Sequence, residues 1–184
     1  FKTMLQELFS DLKHELRGAL HKKKHPFKYV TLSTVDEQMA PRSRTIVLRE
    51  VSESLECIVF TDARSEKAVH LNGNNKACML AYHPKKLMQL RLDGELVIIE
   101  NPLEIKRLFQ KVSENAIKDY TTTMPPGSII DSPEHVNYVT RKENNFLALK
   151  FIPHSVEYLR LKRPNHLRAI FKIEDGWKGE WIVP

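Results

Sequence analysis

The spacing of apolar residues changes period early in the chain. Over residues 1–20, Leu5, Leu8, Phe9, Leu12 and Leu16 recur at helical intervals among Lys, Asp and Glu, which predicts an amphipathic helix. From Tyr29 the pattern becomes β-like. Strands are expected over 29–35, 44–51 and 56–61, with a turn at Asp36-Glu37-Gln38. Residues 65–72 read as a short helix ended by Gly73. Two more strands, 76–82 and 87–99, are joined across His83-Pro84-Lys85-Lys86.

Asn101-Pro102-Leu103-Glu104 is a helix start, with Asn as cap, Pro at the first helical position and Glu at the third. Ile105, Leu108, Phe109, Val112 and Ala116 continue it as one apolar stripe. Residues 120–135 are irregular around Pro125-Pro126-Gly127, a candidate wall for a binding site. Strands are expected again over 146–152, 156–161 and 168–173, with another near Trp181. Few helices among short strands predict a mainly β protein with accessory helices, built on a β-barrel. No linker or repeat divides residues 1–184, so one domain is expected, with 1–25 as an amino-terminal helix and basic connector.

Composition narrows the partners. With 184 residues, 41% apolar and 28% charged, the chain has the make-up of a globular domain with a real core. No apolar run approaches the roughly 18 residues of a membrane span. The amino end alternates charge with leucine instead of carrying a secretory signal, so a cytoplasmic place is expected. Cys57 and Cys78 sit in apolar stretches and read as reduced, buried thiols. The net charge of +6 permits a polyanionic partner, but the densest basic run, His21-Lys22-Lys23-Lys24-His25, reads as a solvated connector and argues against nucleic acid.

Several chemistries lack their motifs. There is no Walker loop and no Gly-x-Gly-x-x-Gly, and six glycines leave phosphate binding mainly to side chains. Cys-x-x-Cys, His-Glu-x-x-His and Gly-x-Ser-x-Gly are absent too. His21 and His25, four apart, read as part of the solvated basic face, and no metal is expected.

A polar set remains on the strand edges: Arg44-Thr45-Ile46-Val47-Leu48-Arg49, Phe60-Thr61, Arg64-Ser65-Glu66-Lys67 and Gln89-Leu90-Arg91. Cations and hydroxyls beside a helix start suit a phosphorylated ligand. Arg44 and Arg49, five apart, face opposite ways on a regular strand. One ligand meets both only through a bulge or along the strand edge. Singly, each residue is accounted for as an exposed strand or helix end; the set in this order says more.

That order resembles the pyridoxamine 5′-phosphate oxidase-like family. There a strand Arg-x-Val-Leu-Leu-Lys is followed by Tyr/Phe-Thr, a helix start with Ser-Arg-Lys, and a Gln on a later strand. The counterparts here are Arg44 to Arg49, Phe60-Thr61, Ser65-Glu66-Lys67 and Gln89. The family's later Trp and His-x-Arg correspond to Leu159 and His166-Leu167-Arg168. The resemblance implies a split β-barrel homodimer with flavin mononucleotide (FMN) between subunits. It implies FMN contacts from Arg44, Thr45, Ile46, Val47, Leu48, Arg49, Phe60, Thr61, Ser65, Lys67, Gln89 and Arg168. Arg64 is expected to replace the Arg that has become Glu66.

The departures shape the expected activity. The true oxidases hold the substrate phosphate with Tyr, Arg and Ser on one helix. The matching positions are Leu108, Val112 and Ala116, on the apolar stripe. The remaining donors for such a phosphate are Arg141, Lys142 and the loop around Ser128. Pro126-Gly127-Ser128 and Arg64 before Ser65 resemble the oxidase-related branch. The expectation is an FMN-dependent oxidoreductase acting on a small molecule, with no catalytic base identified. A flavin-binding module without turnover, the authentic oxidase and a basic nucleic-acid-binding barrel are the competing readings.

Overall fold

The computed structural model describes residues 2–140 and 143–184. Arg141 and Lys142 lie outside the described residues. Among the described residues there are eight strands: β1 (Tyr29–Val35), β2 (Pro41–Val51), β3 (Cys57–Asp62), β4 (Lys76–His83), β5 (Met88–Ile98), β6 (Phe146–Arg160), β7 (Leu167–Lys172) and β8 (Glu180–Trp181). The helices are α1 (Lys2–His21), α2 (Glu66–His70), α3 (Pro102–Phe109) and α4 (Glu114–Ile117). All pairings are antiparallel, in the order β3-β2-β1-β4-β5-β6-β7-β8. β3 also pairs with β6, which closes the first six strands into a barrel. The expected mainly β architecture is observed.

Alternation fills the barrel. Val30, Leu32, Ile46, Leu48, Val59, Met79, Leu90, Leu92 and Phe151 point inward and are buried. The leucine stripe of α1 joins this core through Leu5, Leu8, Leu12 and Leu16. The chain after α1 is pinned by His25, whose Nδ1 accepts from the Phe27 N–H at 3.1 Å. Its Nε2 lies 3.2 Å from Glu15 Oε2, and the His83 ring is 5.8 Å away. An imidazole whose Nδ1 accepts keeps its proton on Nε2, so His25 donates to Glu15 there instead of offering a lone pair to a metal. A second cluster, Ile58, Ile99, Leu108 and Ala148, packs on the outer surface, where Leu108 brings in α3.

Two expected elements differ. The strands anticipated at 146–152 and 156–161 are one, β6. It runs through Pro153 because a bulge there shifts the pairing between Asp93↔Ser155 and Gly94↔Pro153. The stripe from Ile105 to Ala116 is not one helix. α3 stops at Phe109, and Ser113, with φ −64° and ψ 150°, starts α4. Serine favours the extended cap conformation over a helix interior.

Candidate functional site

The site is built where the barrel splits. β2 pairs with β3 only through Leu48↔Val59, Glu50↔Ile58 and Val51↔Cys57. Before Leu48 the two strands part. β3 continues to Asp62 alongside β6, and α2 follows it. A cleft opens beside the free edge of β2, and its backbone groups over 44–47 have no strand partner on that side among the described residues.

Four expected residues belong to this cleft. Lys67 donates to Thr61 Oγ1 at 2.7 Å, and Thr61 Oγ1 lies 2.9 Å from Ser65 Oγ. Arg44 Nη1 donates to Thr34 Oγ1 at 2.7 Å. Neither cation has an ion-pair partner among the described residues. Burial lowers the Lys67 pKa, and the nearby Arg44 charge lowers it further. Burial lowers that of Arg44 as well. Two cations resting on hydroxyls, without a carboxylate bound to either, form a site prepared for an anion. α2 is only five residues long, so side chains rather than a helix dipole carry the charge.

The strand before the bulge contributes backbone. Ile46 and Leu48 are buried in the core, while Thr45 is exposed and Val47 half-buried on the outer face. The register shift between Leu48 and Glu50 makes Arg49 the bulged residue. Arg49 follows the inward Leu48 and lies on the outer face by ordinary alternation, its guanidinium 5.1 Å from the Phe60 ring centroid, and the bulge then returns Val51 to the core. Phe60 belongs to an aromatic group with Phe146, whose ring also meets Phe109 and Tyr120. The buried Arg49 Nε has no hydrogen-bond partner. An orphaned, buried charged donor is costly, and a ligand acceptor there would satisfy it.

Arg64 is not brought into the cation group. Its fork lies on Asp62, and it also reaches Thr122 Oγ1 at 3.1 Å and the Thr123 carbonyl at 3.3 Å. Asp62 is nearly buried, and it takes the arginine that the sequence suggested for phosphate. The effect is to tie the loop after α4 to the turn that leads into Lys67.

Gln89 and Arg168 are elsewhere. The register aligns Gln89 with Leu159 and Leu159 with Arg168, a row on the outer face of β5, β6 and β7. Arg168 Nε and Nη2 bind Glu157 at 2.9 and 2.8 Å, and Arg91 binds the same carboxylate at 3.1 Å. Three strand steps, roughly 14 Å, separate the Arg44 row from β5. Sequence reasoning missed Thr34, His70 and Glu157. Each sits in an ordinary strand or helix pattern, and only its tertiary partners distinguish it.

A family model described as "Pyridoxamine 5'-phosphate oxidase, FMN-binding domain" matches residues 9–100. That is half of the chain, and it contains the split, both cleft cations and Arg49. The chain belongs to this family. Its cofactor is FMN. A pyridoxine/pyridoxamine 5'-phosphate oxidase of Haemophilus influenzae is 26% identical over 168 residues, 91% of this chain and 69% of the relative. Among solved structures, a pyridoxamine 5'-phosphate oxidase-related, FMN-binding protein of Nostoc punctiforme superposes with a TM-score of 0.78 at 24% identity, over 95% of this chain and 96% of that one. PhzG from Burkholderia lata, solved with tetrahydrophenazine-1-carboxylic acid, gives 0.71 at 18% identity, over 99% and 91%. These likenesses establish the FMN-binding split barrel. The residues of this family member fit the cofactor: Arg44 and Lys67 suit its phosphate, and the orphaned Arg49 Nε offers a further donor.

Proposed function

We propose that this protein is an FMN-dependent oxidoreductase acting on a small molecule that carries no phosphate clamped by α3. The observation that carries the reading is the pair Arg44 and Lys67, seated on Thr34 and Thr61 at the split with no carboxylate bound to either. The terminal phosphate of FMN lies against these two and Ser65. The free edge of β2 over residues 44–47 runs beside the rest of the cofactor, and Arg49 and Phe60 flank its far end. FMN, when bound, supplies two-electron redox chemistry. The chain's own side chains bind and orient it.

The protein works as a homodimer in this reading. Gln89 and Arg168 are on the outer face of β5 and β7, away from the cleft cations of the same chain. A second copy laid on that face brings them to the first copy's flavin. Tyr29 and Tyr82, half-exposed on the outer surface of β1 and β4, suit such a contact. The whole of residues 1–184 serves as one flavin-binding unit. No helix among the described residues is long and apolar enough to cross a membrane, and two free cysteines suit a reducing compartment such as the cytoplasm.

The substrate is not the phosphorylated vitamin. Leu108 in α3 is fully buried and Val112, beyond the end of that helix, nearly so, which supports a packing role for both. The test is flavin binding followed by turnover. The purified protein is expected to release FMN by mass spectrometry and to sediment as a dimer. Lys67→Ala is expected to weaken FMN about tenfold or more while sparing riboflavin, because only FMN carries the phosphate. Equal losses for both ligands would remove the phosphate from Lys67. Flavin reduced by a nicotinamide nucleotide but reoxidised by no screened small molecule would favour a binding module over an enzyme.

A further inference from the structure

Behind Arg44 stand two residues that no motif singled out. Arg44 Nη1 donates to Thr34 Oγ1 at 2.7 Å, with the Leu32 carbonyl at 3.4 Å as a second acceptor. A threonine hydroxyl that accepts from a guanidinium still has its own proton to give. The nearest taker is His70 Nδ1, 3.2 Å from Thr34 Oγ1. With His70 Nδ1 unprotonated, the chain of bonds runs from Arg44 to Thr34 and from Thr34 to His70, and the imidazole proton sits on Nε2. Thr34 is 2% exposed and His70 8%, so water does not compete for either bond. The three residues come from β2, β1 and α2, and the relay ties both walls of the split together.

We propose that Thr34 and His70 are positioning residues for the cofactor's phosphate, acting through the Arg44 guanidinium. The proposal rests on the reading that Arg44 and Lys67 hold that phosphate. A free arginine side chain samples many rotamers, and one fixed beforehand loses less freedom when its ligand arrives. Arg44 has a competing attraction, because Glu66 is the carboxylate acting on it and stands at the start of α2. It also has a repulsion from Lys67. Neither force is directional enough to fix the guanidinium in one place. The Thr34 hydroxyl holds it, and His70 keeps that hydroxyl's lone pairs turned toward Arg44. Lys67 is served in the same manner by Thr61, itself bonded to Ser65.

The experiment is reconstitution of the full chain, stripped of flavin, with FMN and with riboflavin. Thr34→Val keeps the shape and removes the hydroxyl; Thr34→Ser keeps the hydroxyl. His70→Leu removes the acceptor; His70→Gln restores one through its amide oxygen. Thr34→Val and His70→Leu are expected to weaken FMN by about tenfold and to leave riboflavin within a factor of about two. Thr34→Ser and His70→Gln are expected to recover most of the FMN affinity. Equal losses for both ligands, or no rescue by Ser and Gln, would reduce the two residues to packing. The His70 pair decides alone if Thr34→Val does not fold. Arg44→Ala and Lys67→Ala separate this proposal from the one beneath it. If neither changes the ratio of FMN to riboflavin affinity, the phosphate is elsewhere. If both change it while Thr34→Val and His70→Leu do not, only the relay is wrong.

Discussion

Arg64 holds Asp62 in a two-pronged ion pair, with Nε 3.0 Å from Oδ1 and Nη2 2.8 Å from Oδ2. The same guanidinium reaches across to Thr122 and Thr123, so it fastens the long loop to the turn between β3 and α2. Arg64→Ala is therefore expected to weaken FMN and riboflavin by the same factor, about tenfold or less, unlike Lys67→Ala. It should also speed protease cleavage within residues 121–139. A loss confined to FMN would put Arg64 on the phosphate after all.

Acid should loosen the amino-terminal helix. Burial holds the His25 pKa below its ordinary 6.5, against the opposing pull of Glu15. Protonation at Nδ1 must also break the bond from the Phe27 N–H. The unfolded chain then binds the proton more readily than the folded one. The stabilisation from a neutral His25 is complete above the unfolded pKa and declines as pH falls from it toward the lowered folded value. Urea melts between pH 7.5 and 5 are expected to show this decline, and His25→Gln should flatten it. An unchanged slope in that variant would assign the effect to another group.

Pyridoxamine 5′-phosphate should be a poor substrate. A dianion buried beside the flavin needs cations or strong donors, and the matching positions are Leu108 in α3 and Val112 just after it, both packed inward. Each 1.4 kcal/mol of missing stabilisation is tenfold in rate, so oxidation should fall by on the order of a hundredfold against a competent relative. Steady-state kinetics read this directly. Saturable turnover at micromolar substrate would show that another donor set takes the phosphate.

Gly94 lies at the β5–β6 bulge, where a side chain has no room. A Cβ there would overlap the Ile152 carbonyl and sit 2.8 Å from the Pro153 Cα. Both neighbours are backbone and cannot swing aside. Gly94→Ala is expected to destabilise the protein by about 1–3 kcal/mol, or more if β6 loses its register. Denaturant titration measures it; a change under a few tenths would mean that the bulge adapts.

Much of the barrel was legible in the chain because strand alternation and helix caps are local. β1 falls where its residues alternate, and Asn101 caps α3 by accepting from Leu103 and Glu104. The cofactor was legible for a related reason. The residues proposed for its phosphate are on one strand and just past the next, so their order from Arg44 to Lys67 is readable in sequence. Continuity was harder to read. Pro153 and His154 look like a break between two strands, and only the pairing with β5 carries β6 through them.

What the sequence by itself determined was the set of elements and the cations available to an anionic cofactor. Which cations remain available was decided by tertiary structure. Arg64 and Thr122 are 58 residues apart, and Thr34 and His70 are 36 apart. Hydrophobic periodicity says nothing about such pairs. A buried carboxylate claims the nearest guanidinium, a bulge returns Val51 to the core after Arg49, and a hydroxyl on a neighbouring strand steers Arg44. Those outcomes depend on which side chains the closed sheet brings within about 3 Å of one another, because hydrogen bonds and ion pairs act only at that range.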